Sequence, residues 1–256
     1  MAKIIAVSNQ KGGVAKTTTC TSLSAGLKRR GYKVLAIDID PQGNLSDSIG
    51  ANNRDKDTLY ELLKGDTKAS EVIQAYDVFD IIPANIMLAG SEQELSQIGK
   101  EQRLKERLEE VVDRYDYIII DTPPTLGILT INAFTAADEV IIPTTAGIFA
   151  ATGIFQLFDT INNVKKYCNS KITVSGILFT KFNERSNNNK DMKDLTEQIA
   201  SHMDAKIFKT FIRTSIVVEE AQARKVDIFT YKKNSTVAID YNNFIDEYLK
   251  EGSYNV

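Results

Sequence analysis

Between Ser8 and Thr19 the chain reads Ser-Asn-Gln-Lys-Gly-Gly-Val-Ala-Lys-Thr-Thr-Thr, a run suited to holding phosphate. Gly12 and Gly13 let the backbone turn tightly, so that successive N–H groups point into one concavity. A helix starting at the end of this run would add the positive end of its dipole, and Lys16 would add a full charge. Thr17 has the hydroxyl that such loops place on Mg²⁺. The commonest phosphate-loop pattern, G-x-x-x-x-G-K-S/T, is not met, because Gln10 and Ala15 stand in its two glycine slots. Alanine at position 15 is compatible with the loop if its φ stays negative. Three carboxylates also stand where apolar runs end: Asp38 and Asp40 after Val34–Ile37, and Asp121 after Tyr117–Ile120. Phosphoryl transfer asks a protein mainly for charge stabilisation and an aligned water, which these residue types can supply. Asp121 could instead cap a helix, but Thr122-Pro123-Pro124 delays any helix there.

These groups converge only if the elements between them place them together. Six runs have strand length and β-branched or aromatic character: Ile4–Ser8, Val34–Asp38, Val78–Ile82, Tyr117–Asp121, Glu139–Pro143 and Val174–Phe179. Several are apolar almost throughout, as expected of strands covered on both faces. Helical patterns lie between them at Thr17–Arg30, Glu92–Asp113 (with a break near Gly99), Ile128–Ala137, Gly153–Tyr167 and Asp191–Met203, and a last one at Ala238–Lys250. Asn187-Asn188-Asn189 reads as a polar loop and Gly252–Val256 as a frayed end. The alternation predicts an α/β fold, a single domain over 1–256 with a mostly parallel twisted sheet covered by helices on both faces. Ligands then bind at the carboxyl ends of the strands, where the phosphate run and the carboxylates fall.

The phosphate run resembles the deviant Walker A box, K-G-G-x-x-K-S/T, of the ParA/MinD branch of P-loop ATPases, with Lys11 as its extra lysine. The resemblance extends along nearly the whole chain. It includes Asp38-Ile39-Asp40-Pro41-Gln42-Gly43-Asn44, then Tyr117–Pro124, then Ile177–Asn183 and Glu220-Ala221, in the family's order. It implies ATP and Mg²⁺ as cofactors and a single ParA-type ATPase domain. Gly12, Gly13, Val14, Ala15, Lys16, Thr17 and Thr18 would surround the phosphates, with Lys16 bridging the β- and γ-phosphates. Thr17 would ligate Mg²⁺, and Asp121 and Asp38 would act on it through water. Asp40 would orient the attacking water, and Lys11 would reach the nucleotide of a partner subunit in an ATP-bound homodimer. Thr180–Asn183 and the turn Phe211–Thr214, with Thr180, Asn183 and Arg213 as contacts, would flank the adenine. Basal hydrolysis would be weak and stimulated by a partner.

The net charge of −3 excludes a generally basic DNA-coating protein, but charge is unevenly spread. Between Thr160 and Lys233 stand 14 Lys/Arg against 8 Asp/Glu. Such asymmetry is either a solvated surface or a nucleic-acid face. The resemblance favours the second, with Arg213, Arg224 and Lys225 as sequence-independent DNA contacts. It also departs there: Arg213 takes the place of a proline, and Val217 that of an arginine. The membrane branch ends in a basic amphipathic helix, whereas the last helix here carries Asp240, Asp246, Glu247 and Glu251 against Lys250 alone on its polar face. It is expected to dock on the core and not on a membrane. Cys20 and Cys168 cannot by themselves form a disulfide framework or a four-cysteine metal site. With no leader pattern the chain is expected in the cytoplasm, nucleoid-associated when ATP-bound. The first reading is DNA partitioning with a ParB-like centromere-binding partner. The alternatives are positioning of a protein cargo, or a conjugation- or transcription-linked regulator.

Overall fold

The computed structural model describes residues 1–91, 98–147, 150–202 and 205–252. Six strands, β1 (Lys3–Val7), β2 (Val34–Asp38), β3 (Asp80–Ile82), β4 (Tyr117–Asp121), β5 (Glu139–Thr144) and β6 (Thr173–Phe179), make one parallel sheet in the order β3-β2-β4-β1-β5-β6. All six expected strands are present, the third shorter than expected. Successive side chains alternate between faces, so each strand feeds two cores. Ile5, Val7, Ala36 and Ile119 face one side; Leu35, Ile37, Ile118 and Ile120 face the other.

The first face is covered by α1 (Lys16–Arg29), α2 (Asn44–Ile49) and three later helices, α9 (Val217–Ala223), α10 (Ile228–Lys232) and α11 (Thr236–Gly252). The opposite face carries α3 (Leu59–Lys64), α4 (Ala69–Val72), α5 (Arg103–Leu108) and α6 (Ile128–Ala136) towards one edge, with α7 (Ala150–Tyr167) and α8 (Asn187–His202) towards the other. Of the expected helix over 92–113, residues 92–97 lie outside the described residues. The remainder is α5 between two 3₁₀ turns, after Gly99 at φ +82°. The end at Met203 and nearly all of Gly252–Val256 also lie outside them.

The asparagine run corrects the expectation of a loop: Asn187–Asn189 is the first turn of α8. Ser186 begins it, its Oγ accepting the Asn189 N–H at 3.4 Å, and an N-capped start outweighs asparagine's weak helix preference.

The last helix docks on the core as expected. Tyr241, Phe244, Ile245 and Tyr248 are buried, and each side chain so buried contributes roughly 2 kcal/mol. The close crossing of α11 over α1 depends on Gly26, where an added Cβ would stand 2.2 Å from Ile245 Cδ1. Among the described residues no helix is long and apolar enough to cross a membrane.

Candidate nucleotide site

The strand register assembles the site. β4 lies between β2 and β1, with Asp121 opposite Asp38 on one side and opposite Val7 on the other. Both carboxylates thus sit at the carboxyl ends of interior strands, beside the point where the phosphate run leaves β1.

That run is tied down at three places. The Asn9 side chain donates to the Pro143 carbonyl (2.8 Å) and accepts from the Lys11 N–H (2.9 Å). The Thr180 hydroxyl lies within hydrogen-bond reach of two carbonyls, those of Val14 (3.0 Å) and Thr144 (3.1 Å). Helix α1 then starts at Lys16 with no side-chain cap and no acidic residue in its first turn. Its leading N–H groups therefore have no capping carboxylate or hydroxyl, the arrangement that receives an anion.

Ala15 departs from expectation. Its φ is +65° and ψ +33°, in the left-handed region, where alanine costs about 1 kcal/mol relative to glycine. The loop turns left-handed at Gly13 and again at Ala15 immediately before the helix, and the backbone takes this path although position 15 lacks glycine.

Below the loop, charge is concentrated away from water. Lys16 is 8% exposed, and burial lowers its ammonium pKa against the opposing pull of Asp121 and Asp40. The Thr17 hydroxyl donates to Asp121 Oδ2 at 2.7 Å, while Asp121 Oδ1 is buried without a hydrogen-bond partner. Burial raises the Asp121 pKa, opposed by the Thr17 hydrogen bond and by Lys16. Cys20, one turn along α1, is fully buried beside it, its thiol pushed up by burial and by Asp121. Nothing in the sequence marked this cysteine as a neighbour of the carboxylate.

Asp38 is held by its own loop. Its Oδ2 accepts from both the N–H (2.8 Å) and the hydroxyl (2.7 Å) of Ser46, and its Oδ1 from the Asp40 N–H (3.2 Å). Ser46 Oγ in turn accepts the Ala84 N–H at 3.0 Å. With both oxygens engaged and no exposure, Asp38 braces the loop that carries Asp40. Its pKa is raised by burial and then by Asp121. Asp40 itself is 8% exposed and faces the cavity, its Oδ1 accepting the Gln42 N–H at 3.0 Å.

A cavity of about 660 Å³ opens above these groups. Gly12, Gly13, Ala15, Lys16, Thr17 and Thr18 line one end. Thr180, Lys181 and the turn Ile212–Ser215 line another part, with Val218, Glu219 and Gln222 of α9 and Tyr241 of α11. The contribution of α9 and Tyr241 was not foreseen. No local pattern signals it, since Tyr241 stands more than two hundred residues from the loop it faces.

Other expected contacts separate. Thr180 reaches the cavity, but its hydroxyl is bound to the phosphate loop. Asn183 is exposed and does not line the cavity; its Oδ1 holds the Arg185 N–H at 3.0 Å. Lys11 is exposed, its Nζ 3.4 Å from Thr145 Oγ1, and it too stays out of the cavity of its own chain. Arg213 lines the cavity with its guanidinium paired to Asp240, while Arg224 and Lys225 stand exposed at the far end of α9. Arg224 lies over the Tyr231 ring (5.2 Å), and Lys225, at φ +57°, rests over Gly50.

Comparison with known proteins agrees with this geometry. An AAA domain family matches residues 2–174. The sporulation initiation inhibitor protein Soj of Bacillus subtilis is 41% identical over 256 residues, covering 98% of this chain and 100% of that one. The chromosome-partitioning ATPase Soj of Treponema pallidum is 36% identical over 96% of this chain and 97% of its own length. Among solved structures, cobyrinic acid a,c-diamide synthase from Mycobacterium smegmatis with a bound ATP analogue and magnesium superposes with a TM-score of 0.87. It is 33% identical and covers 100% of this chain and 98% of that one. An uncapped glycine loop entering a helix, with a carboxylate register beneath it and near-full-length likeness to the Soj proteins, shows that the chain belongs to the Soj/ParA family of partitioning ATPases.

Proposed function

We propose that the protein is an ATP-switched partitioning ATPase that dimerises with ATP bound, holds DNA without sequence preference and releases it on hydrolysis. The observation that carries the reading is the convergence of Lys16, Thr17, Asp121 and Asp40 beneath an uncapped helix N-terminus. The loop N–H groups and Lys16 hold the phosphates. Thr17 and Asp121 fit Mg²⁺: they offer hard oxygen donors, and Asp121 Oδ1 is a buried acceptor without a protein partner. Among the described residues no cluster of three or more His, Cys, Asp or Glu forms a closed metal cage, so such an ion would also rely on water and phosphate oxygens. Mg²⁺ supplies neutralisation of phosphate charge. Asp40, on a loop braced by Asp38 and Ser46, accepts from and aligns the attacking water.

Two features support the dimer. Lys11 is exposed, near Thr145 and outside the lining of its own cavity. Gly12 has nothing within 4 Å of where a Cβ would stand and needs no positive φ, so within one chain a side chain there meets no obstacle. A glycine in that place suits close approach of a nucleotide or a second subunit. Exposed Arg224 and Lys225 are the DNA contacts, to phosphate and therefore salt-sensitive. Two such patches on one dimer gain by effective concentration. A ParB-like centromere-binding protein stimulates a weak basal turnover, and the ATP state associates with the nucleoid.

Gel shifts on mixed-sequence duplex with ATP, with ADP and without nucleotide, each at two salt concentrations, test the switch. Binding is expected with ATP only, and Arg224→Glu or Lys225→Glu should weaken it about tenfold while basal hydrolysis persists. Equal binding in all three states would overturn the switch, and none in any state would move the cargo from DNA to protein.

A further inference from the structure

The turn that closes the cavity opposite the phosphate loop belongs to a segment pinned along its length to α11. Main-chain pairing ties Ile212 to the end of β6: its N–H donates to the Phe179 carbonyl (2.8 Å) and its carbonyl accepts from Phe182 (3.0 Å). The remaining anchors are carboxylates. Glu247 accepts the N–H groups of Lys209 (2.7 Å) and Thr210 (2.9 Å), and Asp240 Oδ2 accepts that of Arg213 (3.0 Å). Asp240 and Glu247 are seven residues apart, two turns on one side of α11.

Asp240 does more than its partner along the helix. It also takes the Arg213 guanidinium in a two-pronged pair, Nε to Oδ2 at 2.9 Å and Nη2 to Oδ1 at 2.6 Å. The aspartate side chain is 8% exposed and the arginine 46%, so the pair has one buried end and one end at the cavity. Planar paired bonds of this type fix orientation as well as separation. Beyond Arg213 the chain runs directly into Thr214 and Ser215, which line the cavity. The next residue of α11, Tyr241, has its hydroxyl 3.1 Å from Thr19 Oγ1 in α1. Adjacent residues of one helix thus hold both sides of the cavity, Asp240 the turn and Tyr241 the phosphate-loop helix.

We propose that Asp240 is a positioning residue for the nucleotide, stapling Arg213 and with it the turn Ile212–Ser215 to α11. This rests on the ATP-binding reading above. A proline in place of Arg213 would restrict the turn through its ring; here an ion pair and a main-chain hydrogen bond do so.

The test is calorimetric affinity for ADP with Mg²⁺, measured on the full chain, Asp240→Ala, Arg213→Ala and the double variant. Each single change should weaken binding about tenfold, and the double variant no more than either, because both remove one unit. Amide exchange at Arg213 should rise in Asp240→Ala without nucleotide. The loss should shrink in high salt, since the arginine end is exposed to screening. Should Asp240→Ala fail to fold, Asp240→Asn keeps an acceptor for the N–H but drops the charge, and about threefold weakening is expected. Glu247→Gln should lower thermal stability yet hold affinity within about twofold, as its pins lie away from the cavity. Unchanged affinity in the Asp240 variants overturns the proposal. So does a double variant about a hundredfold weaker, the additive result of two residues that act independently and not as one staple. An equal loss in Glu247→Gln overturns it as general loosening. If the unsubstituted chain binds neither ADP nor ATP, the ATP reading falls and this proposal with it. If the chain binds and only the variants fail to differ, the ATP reading survives alone.

Discussion

The two ends of the cavity are built on different principles. The phosphate end comes from one continuous stretch, Asn9–Thr18, whose glycines and helix start create the anion cradle locally; the sheet only supplies carboxylates beneath it. The opposite wall comes from four separate stretches, Thr180–Lys181, Ile212–Ser215, α9 and Tyr241, and is held by side chains of α11. A locally encoded site tolerates change elsewhere in the chain, whereas an assembled wall depends on a distant helix staying docked. The phosphate end should therefore respond to substitutions within it and the wall to substitutions behind it.

The largest effect expected is at the phosphate end. Lys16→Ala removes a buried ammonium facing the cavity and should weaken ATP and ADP binding by roughly a hundredfold or more, with the fold retained. Unchanged affinity by calorimetry would mean that the cradle is not where phosphate binds. Asp40→Ala should keep nucleotide affinity while slowing turnover on the order of a hundredfold, read as phosphate release under single-turnover conditions. Normal turnover would remove Asp40 from the mechanism and leave the Asp38–Ser46 brace without a catalytic purpose.

A third substitution separates the inside of the chain from its surroundings. Gly12→Val meets no neighbour within the chain, so its thermal midpoint should stay within about 2 °C of the parent. ATP-dependent dimerisation, followed by light scattering with a non-hydrolysed analogue, should nevertheless be lost. A dimer of normal strength would show that the second subunit does not approach this glycine.

The smallest effect sharpens the account of the loop. Ala15→Gly removes the cost of a left-handed alanine and should raise stability by about 1 kcal/mol, or 2–4 °C in melting temperature. A lower melting temperature would show that the loop leaves this conformation in solution.

The contrast between the two ends also explains what could be read in advance. Strands were legible because burial on both faces makes them apolar almost throughout. The phosphate loop was legible because glycine, lysine and threonine spacing expresses its chemistry directly. Short helices were harder. The box at Thr58–Glu61, with the Thr58 N–H bound to Glu61 Oε2 at 2.8 Å, is a start signal for α3 that strand–helix alternation passed over. At Asn187–Asn189 a polar composition suggested a loop, although Ser186 stood ready as the cap. Asp38 could not be told from Asp40 by type or position. Which of the two lies open to the cavity depends on Ser46, whose hydroxyl is brought to Asp38 by the turn into α2.

By itself, then, the sequence determined the parallel sheet, the phosphate-binding loop and the set of carboxylates around it, because each is written in local pattern or in the apolar character that burial on both faces demands. Tertiary structure alone decided that Asp121 lies beside Asp38, that Asp38 braces while Asp40 faces the cavity, that Ala15 is forced left-handed, and that Arg213 is held by Asp240. The pairing of Asp121 with Asp38 and of Arg213 with Asp240 follows from strand register and helix docking across tens of residues, and the Asp38 brace from the turn into α2; in each, the partner of a charged group is fixed by what the packed chain brings within hydrogen-bonding distance.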